Sequence, residues 1–351
     1  MPAAPLILAV DTSCDDTSAA VTQGTTVLSN VVASQTQLHK QYGGVFPTVA
    51  KQAHRENITP TITAALKRAG VSWKNIDIFA VTQGPGLAPA LEVGITAIKE
   101  LAATHAKPIV AVNHVEGHVL SVLAQPQART AATPTLQLQF PALALVISGG
   151  HSEFILVSKI GEYQRLGWTV DDAAGEVLDK VGRMLDLGYP AGPVVEEFAK
   201  LGNPKAFAFP LPMTTSGDFN LSFSGLKTSA RNLLEKLTTE NDLNKTQIYD
   251  FCASFQYAVF RSICYKLGKI LQNHEIKELW LGGGVAANIT LRRMIRETAK
   301  TYAGPEKNLP LRVPYIKKLC SDNAAMIGVV AGFKAPIITT EPLERRPRWE
   351  I

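Results

Sequence analysis

The chain has 351 residues, of which 46% are hydrophobic and 19% are charged, and its formal net charge is +5. This composition indicates an ordered globular protein, and the length predicts two or three domains. The four cysteines form no Cys-x-x-Cys pair, which argues against a disulfide framework or a cysteine-rich zinc site. No apolar run is long enough to span a bilayer, and Asp11 interrupts the apolar N-terminal stretch, so we expect a soluble cytoplasmic protein without a signal peptide.

Strands and helices alternate through the first third of the chain. Hydrophobic patterning predicts strands at Leu6–Val10, Ala19–Thr22, Val27–Ala33, Ile76–Thr82 and Ile109–Val112. It predicts helices at Phe46–Ala69, at Ile95–Thr104 and in the run that begins at His114. This order is typical of the α/β class, with a mixed sheet and helical connections.

The opening pattern recurs after a predicted linker or surface loop at Gln125–Pro141, which is rich in Pro, Thr, Ala and Gln. The strand Ala142–Ile147, the polar turn Ser148–Ser152 and the strands Glu153–Ser158 and Tyr163–Trp168 follow. Two similar strand–turn–strand units predict a duplicated fold with a cleft between two lobes, although two hairpins can also resemble each other by chance.

His114 and His118 indicate a metal site, because residues four apart project from one face of a helix. Asp322 is the candidate third ligand, and two His with one carboxylate leave coordination positions open for a substrate. The alternative is two helix histidines that bind no metal. Glu116 lies about 200° around the helix from His114, which argues against a protease of the His-Glu-x-x-His type.

Three strand-end turns can present backbone N–H groups to a phosphate, and they lie at Thr12–Thr17, Ser148–Ser152 and Gly282–Asn288. Together they suggest a nucleotide held between the lobes, whereas any single turn is equally explained by the glycine that a tight turn requires. We interpret Asp171 and Asp172 as complements of a helix dipole. Asp179 is far enough along that helix to accept a hydrogen bond from a ribose or a substrate hydroxyl.

Ten motifs in collinear order, from residue 7 to residue 349, resemble the TsaD family of tRNA N6-adenosine threonylcarbamoyltransferases. They are Asp11–Thr17, Tyr42–Pro47, Gly84–Leu87, His114–His118, Ser148–His151, Asp171–Glu176, Phe223–Thr228, Gly283–Asn288, Asp322-Asn323 and Arg346–Trp349. The histidine motif, with Glu116 inside it, resembles the bacterial form of the family.

The resemblance implies an actin/Hsp70/hexokinase-like fold with duplicated RNase H-like lobes and an inter-lobe cleft. We expect an N-terminal lobe over residues 1–125, a C-terminal lobe over 135–322, and a segment 323–351 that packs back on the first lobe. By motif match, His114, His118 and Asp322 are the metal ligands. The residues that match the family's site for threonylcarbamoyl-adenylate are Val146, Ile147, Ser148, Gly149, Gly150, His151, Asp179, Gly192 and Asn288.

The implied reaction is transfer of the threonylcarbamoyl group from its adenylate to N6 of adenosine 37, in tRNAs that read codons beginning with A. One divalent metal ion would hold and polarise that group, and we expect Fe²⁺, with Zn²⁺ as the alternative. Asp15 or Asp16 is the candidate base, although the family usually has Asp-Glu at these two positions. The resemblance also implies an inert TsaB-like paralogue, a small TsaE-like ATPase and a separate synthase that supplies the adenylate.

Two other functions compete with the transferase. A kinase or Hsp70-type ATPase would share the phosphate turns but needs no His/His/Asp site, and an inert scaffold would not need its ligands intact. The basic residues form two short clusters, one at Arg292, Arg293 and Arg296 and one in the tail at Arg345–Arg348. These clusters are the candidate tRNA contacts, and a solvated surface is the alternative.

Overall fold

The computed structural model describes residues 4–127, 137–239, 243–303, 309–334 and 343–351. The chain folds into two compact units, which are Met1–Leu138 with Val313–Ile351, and Gln139–Arg312. The return to the first unit therefore begins at Val313, earlier than the predicted residue 323, because the last strand of the second unit ends at Arg312. Most of the predicted linker, residues 128–136, lies outside the described residues.

The described strands and helices follow the predicted alternation. The strands are β1 (Leu6–Asp11), β2 (Asp16–Gln23), β3 (Thr26–Ser34), β4 (Ile78–Gly84), β5 (Ile109–Asn113), β6 (Gln125–Pro126), β7 (Ala142–Ile147), β8 (Ser152–Lys159), β9 (Glu162–Trp168), β10 (Glu278–Gly282) and β11 (Leu311–Arg312). The α-helices are α1 (Thr36–His39), α2 (Pro47–Ala69), α3 (Ala88–His105), α4 (His114–Leu120), α5 (Ala174–Met184), α6 (Gly192–Ala199), α7 (Ser224–Thr238), α8 (Lys245–Asn273), α9 (Ile289–Ala303) and α10 (Ala324–Ala331).

Each unit is built on one mixed sheet. The order in the first unit is β5-β4-β1-β2-β3-β6, and the order in the second is β11-β10-β7-β8-β9. In both sheets three consecutive strands form an antiparallel meander, β1–β2–β3 or β7–β8–β9. Later strands, β4 and β5 or β10 and β11, add in parallel on the side of the first strand, and β6 pairs in parallel with β3. The predicted duplication is therefore present in the topology of the two sheets.

The parallel strands β1, β4 and β5 of the first unit lead into the loops of the candidate site. The strand β4 is buried along its whole length, and β5 beside it is buried from Val110 to Asn113, as expected for strands covered on both faces. Helices α2 and α3 pack on this sheet around a core that includes Leu8, Phe79 and Leu91. The carboxyl ends of β1, β4 and β5 consequently lie side by side and carry the loops of the site.

Helix α3 begins at Ala88, well before the predicted start at Ile95. Pro89 occupies the first turn, where its missing N–H is not needed, so the proline starts this helix and does not break it. Helix α2 begins at Pro47 in the same way and ends at Ala69, with Gly70 as its C-cap, close to the predicted bounds.

Within the described part of the chain, no helix combines the length and the apolar character that crossing a membrane would require. Cys14, Cys252, Cys264 and Cys320 are free cysteines, and all but Cys14 are buried.

Candidate metal centre and phosphate-binding turns

Helix α4 carries both histidines of the predicted site. It begins directly after β5 because Asn113 caps it, accepting hydrogen bonds from the backbone of Val115 at 2.8 Å and of Glu116 at 3.2 Å. His114 and His118 lie one turn apart with their ring centroids 4.7 Å from each other. Both are buried, His118 completely. The end of β5 and this cap therefore fix where the two imidazoles point.

Asp322 reaches the histidines from the far end of the chain. It precedes helix α10, which Asn323 caps by accepting a hydrogen bond from Met326 at 3.2 Å. Oδ1 of Asp322 lies 3.2 Å from Nε2 of His118 and 3.6 Å from Nε2 of His114. Ligands that sit about 2.1 Å from one tetrahedral metal ion are roughly 3.4 Å apart, so these spacings fit a shared ion.

The hydrogen-bonding state of His118 also fits a metal ligand. Its ring is fully buried, and neither ring nitrogen makes a hydrogen bond with the described residues, although Nε2 approaches Asp322. A buried polar group without such a bond costs free energy, which coordination of a cation would remove. The three ligand atoms lie within 4.8 Å of one another, and the set can bind a metal ion.

Asp11 adds a carboxylate behind His114. Its Oδ2 lies 3.6 Å from Nδ1 of His114, on the side of the ring away from Asp322. Burial acts to lower the pKa of His114, but Asp322 and Asp11 outweigh burial and raise that pKa to about 10. An acid behind a ligating histidine fixes the ring and its tautomer. The sequence indicates the motif Asp11–Thr17 but gives no sign that Asp11 lies next to His114.

Asp15 lies in the loop that follows Asp11, and Asp16 is the first residue of β2. Burial raises the pKa of Asp15, to which Asp322 also contributes. Burial, with Asp15 and Asp322, raises the pKa of Asp16 to about 6. Carboxyls of this kind are suited to accept a proton near neutral pH. This predicted phosphate turn therefore carries acids whose pKa values respond to Asp322, a candidate metal ligand.

The other two phosphate turns lie at the carboxyl ends of β7 and β10. Oγ of Ser148 accepts hydrogen bonds from the backbone of Gly150 at 3.2 Å and of His151 at 3.0 Å, so the turn is held by its own serine. Gly283 has a φ of +91°, and a Cβ there would lie 2.3 Å from the carbonyl oxygen of Ile147. The two turns are thus in close contact. Val146 and Ile147, at the end of β7, are buried.

Open space remains in front of these turns. A Cβ added at Gly149, Gly150 or Gly284 would meet nothing within 4 Å. Backbone N–H groups beside open space at the ends of parallel strands are a common place for a phosphate.

Asp179, Gly192 and Asn288 belong to the same unit. Oδ1 of Asp179 accepts a hydrogen bond of 2.6 Å from the backbone N–H of Gly192. The side chain of Asn288 donates to Oε1 of Gln256 at 2.7 Å and accepts from the backbone of Leu291 at 3.1 Å, which caps α9. All three residues therefore already take part in hydrogen bonds within the protein. A bound ligand would have to contact them in addition to these bonds.

The interpretation of Asp171 and Asp172 as dipole complements of the following helix is wrong. Helix α5 begins only at Ala174, and Asp171 instead accepts hydrogen bonds from the backbone of Phe223 at 2.7 Å and of Ser224 at 3.2 Å, where α7 starts. Asp172 forms ion pairs with Lys180 and Lys227. The two acids tie the start of α5 to α7.

Comparison with known proteins yields one family and one fold. Residues 26–329 match the model of the family TsaD, described as tRNA N6-adenosine threonylcarbamoyltransferase. A protein of that name from Geobacter sp. (strain M21) is 43% identical over 351 residues, covering 97% of each chain.

Two solved structures share the fold at low sequence identity. Component A of (R)-2-hydroxyglutaryl-CoA dehydratase from Acidaminococcus fermentans has 13% identity and a TM-score of 0.53, covering 94% of this chain and all of its own. HypF from T. kodakarensis has 16% identity and a TM-score of 0.57, covering 95% of this chain and 48% of its own. The predicted actin/Hsp70/hexokinase-like fold class is confirmed.

Proposed function

The chain belongs to the TsaD family, and from this membership we propose that it transfers the threonylcarbamoyl group from threonylcarbamoyl-adenylate to N6 of adenosine 37 in tRNAs that read codons beginning with A. The observation that supports this function best is the convergence of His114, His118 and Asp322 on one point. A kinase or an ATPase switch would have no use for such a set.

The bound metal would supply Lewis-acid polarisation of a carbonyl. We propose Fe²⁺ as the ion, because two His and one carboxylate with open positions form the donor set of many iron(II) sites, and Zn²⁺ is the alternative. His114 and His118 would hold the ion from one helix, and Asp11 lies 3.6 Å from Nδ1 of His114, where it would help to orient that ring.

Asp16 is our candidate for the base. The exocyclic amine loses a proton as the carbamoyl–nitrogen bond forms, and an acid whose pKa lies near 6 can accept it at neutral pH. Asp15, also with a raised pKa, is the alternative. The adenylate leaves as AMP, whose phosphate takes the electron pair of the broken bond.

The glycine turns of the second unit are the proposed adenylate site. The turn Ser148–His151 lies at a strand end beside open space at Gly149 and Gly150, and Gly284 adds open space next to it. We propose that Asp179, Gly192 and Asn288 contact the nucleoside. Calorimetric titration with the adenylate should give weaker binding for Asp179→Ala and Asn288→Ala, by a few kcal/mol at most, because each removes one or two hydrogen bonds.

We propose that the protein acts in the cytoplasm with an inert TsaB-like paralogue, a small TsaE-like ATPase and a synthase that makes the adenylate. The chain supports the need for partners through its basic residues, which form only two short clusters for gripping a folded tRNA.

The function is tested by incubating the purified protein with threonylcarbamoyl-adenylate and tRNA and analysing the nucleosides by mass spectrometry. We expect threonylcarbamoyladenosine in a tRNA with adenosine at position 37, and none in the same tRNA carrying guanosine there. Addition of the paralogue and the ATPase should increase the yield. If all components together left adenosine 37 unmodified, the proposal would be wrong.

A further inference from the structure

The C-terminal residues 343–351, which we call the strap, run along the turn between β4 and α3. The backbone N–H of Arg346 donates to the carbonyl of Gln83 at 2.7 Å, and the N–H of Gly86 donates to the carbonyl of Pro347 at 3.2 Å. The side chain of Gln83 donates to the carbonyl of Glu344 at 2.6 Å. The strap is thus held mainly through its backbone, while Leu343 anchors its start in the core of the first unit.

The turn is packed between the strap and the acidic loop of the site. A Cβ at Gly84 would lie 1.8 Å from the carbonyl oxygen of Arg346, and a Cβ at Gly86 would lie 2.5 Å from the carbonyl oxygen of Ser13. The same carbonyl of Ser13 accepts a hydrogen bond of 2.8 Å from the backbone of Leu87. These contacts explain the glycines of the Gly84–Leu87 motif, for which the transfer chemistry offers no role.

The strap also contacts the cap of the metal-binding helix. The side-chain amide of Asn113 donates to the carbonyl oxygens of Trp349 at 3.2 Å and of Glu350 at 3.4 Å. Its amide oxygen at the same time accepts the two backbone bonds that start α4. Asn113 therefore joins the strap to the residue directly before His114.

A second connection runs through the side chain of Trp349. Nζ of Lys334 lies 5.9 Å from the centroid of the Trp349 ring, within the range of a cation–π contact. The same Nζ lies 2.5 Å from Oε2 of Glu116, which is buried on α4 between the two histidines in sequence. The ring of Trp349 thus lies against the cation that pairs with the buried acid of the histidine motif.

We propose that the strap positions the metal ligands, with Asn113, Glu116 and Trp349 acting as positioning residues through helix α4. The inference rests on the proposed metal site and goes beyond it, because it assigns the motifs at Gly84–Leu87 and Arg346–Trp349 to metal binding. The helix is short and holds two of the three proposed ligands. Its orientation therefore sets the distances of both Nε2 atoms from Asp322. Groups behind metal ligands commonly change metal affinity by 10–100-fold.

The test compares variants of the full chain by metal affinity and by the visible spectrum of bound Co²⁺, without RNA or adenylate. Asn113→Ser keeps an N-cap oxygen but loses the amide that reaches the strap. Trp349→Ala removes the ring, and Trp349→Phe restores an aromatic face for Lys334. We expect about a ten-fold loss of affinity and an altered Co²⁺ spectrum for Asn113→Ser and Trp349→Ala, and recovery in Trp349→Phe.

The second unit provides matched controls. Asn244→Ser alters another asparagine cap, that of α8, and Trp168→Ala removes another tryptophan under a cation, Arg165. Neither should change metal affinity. The inference is overturned if the wild type binds metal and Asn113→Ser and Trp349→Ala bind it equally well, with an unchanged Co²⁺ spectrum. The strap would then serve stability alone. A wild type that binds no metal would instead overturn the proposed metal site itself.

Discussion

Oε2 of Glu116 lies 2.5 Å from Nζ of Lys334, and this ion pair decides between two functions for the histidine motif. A metalloprotease needs a glutamate that activates water at the metal. Glu116 is rotated about 200° around the helix from His114, and its carboxylate is paired with a lysine. The motif therefore offers two candidate metal ligands without a protease base.

Replacing Asp16 should make stability less dependent on pH. The folded pKa of about 6 exceeds the ordinary value of 3.8, so the ionised carboxyl destabilises the fold above about pH 6, and this cost fades as the pH falls towards 4. Asp16→Asn should stabilise the metal-free protein by about 1–3 kcal/mol near pH 7.5 and by less than about 1 kcal/mol near pH 4. Urea denaturation at the two pH values measures this difference, and an equal effect at both would contradict the burial of this carboxyl.

Two adjacent glycines in the second unit should respond very differently to alanine. Gly283→Ala forces a side chain into a left-handed conformation and against the carbonyl of Ile147, at a cost of at least about 2 kcal/mol. Gly284→Ala meets open space and should leave the free energy of unfolding nearly unchanged. Its methyl group should instead weaken adenylate binding, which calorimetry on the folded variant would detect. If Gly284→Ala bound the adenylate with full affinity, the phosphate would not bind at this turn.

Much of the fold follows from local sequence. The strand β7 has the bounds that its apolar run predicts, and two prolines mark the starts of α2 and α3. The start of α3 at Ala88 differs from the predicted Ile95, because Pro89 next to small residues is also typical of a loop.

Only part of the candidate site can be predicted from residues that are close in sequence. His114 and His118 are recognisable because helix periodicity alone places them together. The contacts of Asn113 with Trp349 and of Glu116 with Lys334 join residues far apart in the chain. No spacing or periodicity in the sequence predicts either contact. The sequence therefore indicates the candidate metal ligands but not the distant groups that contact their helix.

Charge reversal on the basic clusters should weaken tRNA binding. Nε of Arg292 donates to the carbonyl of Ala286 at 2.6 Å, so reversal there would disturb the phosphate turn as well. Arg293 and Arg348 are exposed and serve better. The double variant Arg293→Glu, Arg348→Glu should lower tRNA affinity at low salt about ten-fold and reduce the salt dependence, because phosphate contacts release counterions.

The matched control for charge is Arg68→Glu with Arg231→Glu, which makes the same change in net charge at other exposed positions. Filter binding across a salt series would compare the two. Equal losses in both double variants would mean that net charge alone matters and that the clusters are ordinary solvated surface.

The central claim is that His114, His118 and Asp322 bind the ion on which transfer depends, and a metal titration of transfer tests it most directly. Protein stripped with a chelator is reloaded with Fe²⁺ or Zn²⁺ in steps, while bound metal and the initial rate of threonylcarbamoyl transfer to tRNA are measured together. The rate should rise in proportion to bound metal and level off at one ion per chain. Asp322→Ala should retain its fold by circular dichroism yet bind little metal and transfer nothing. Transfer at the full rate by the stripped protein, or by Asp322→Ala, would contradict the account.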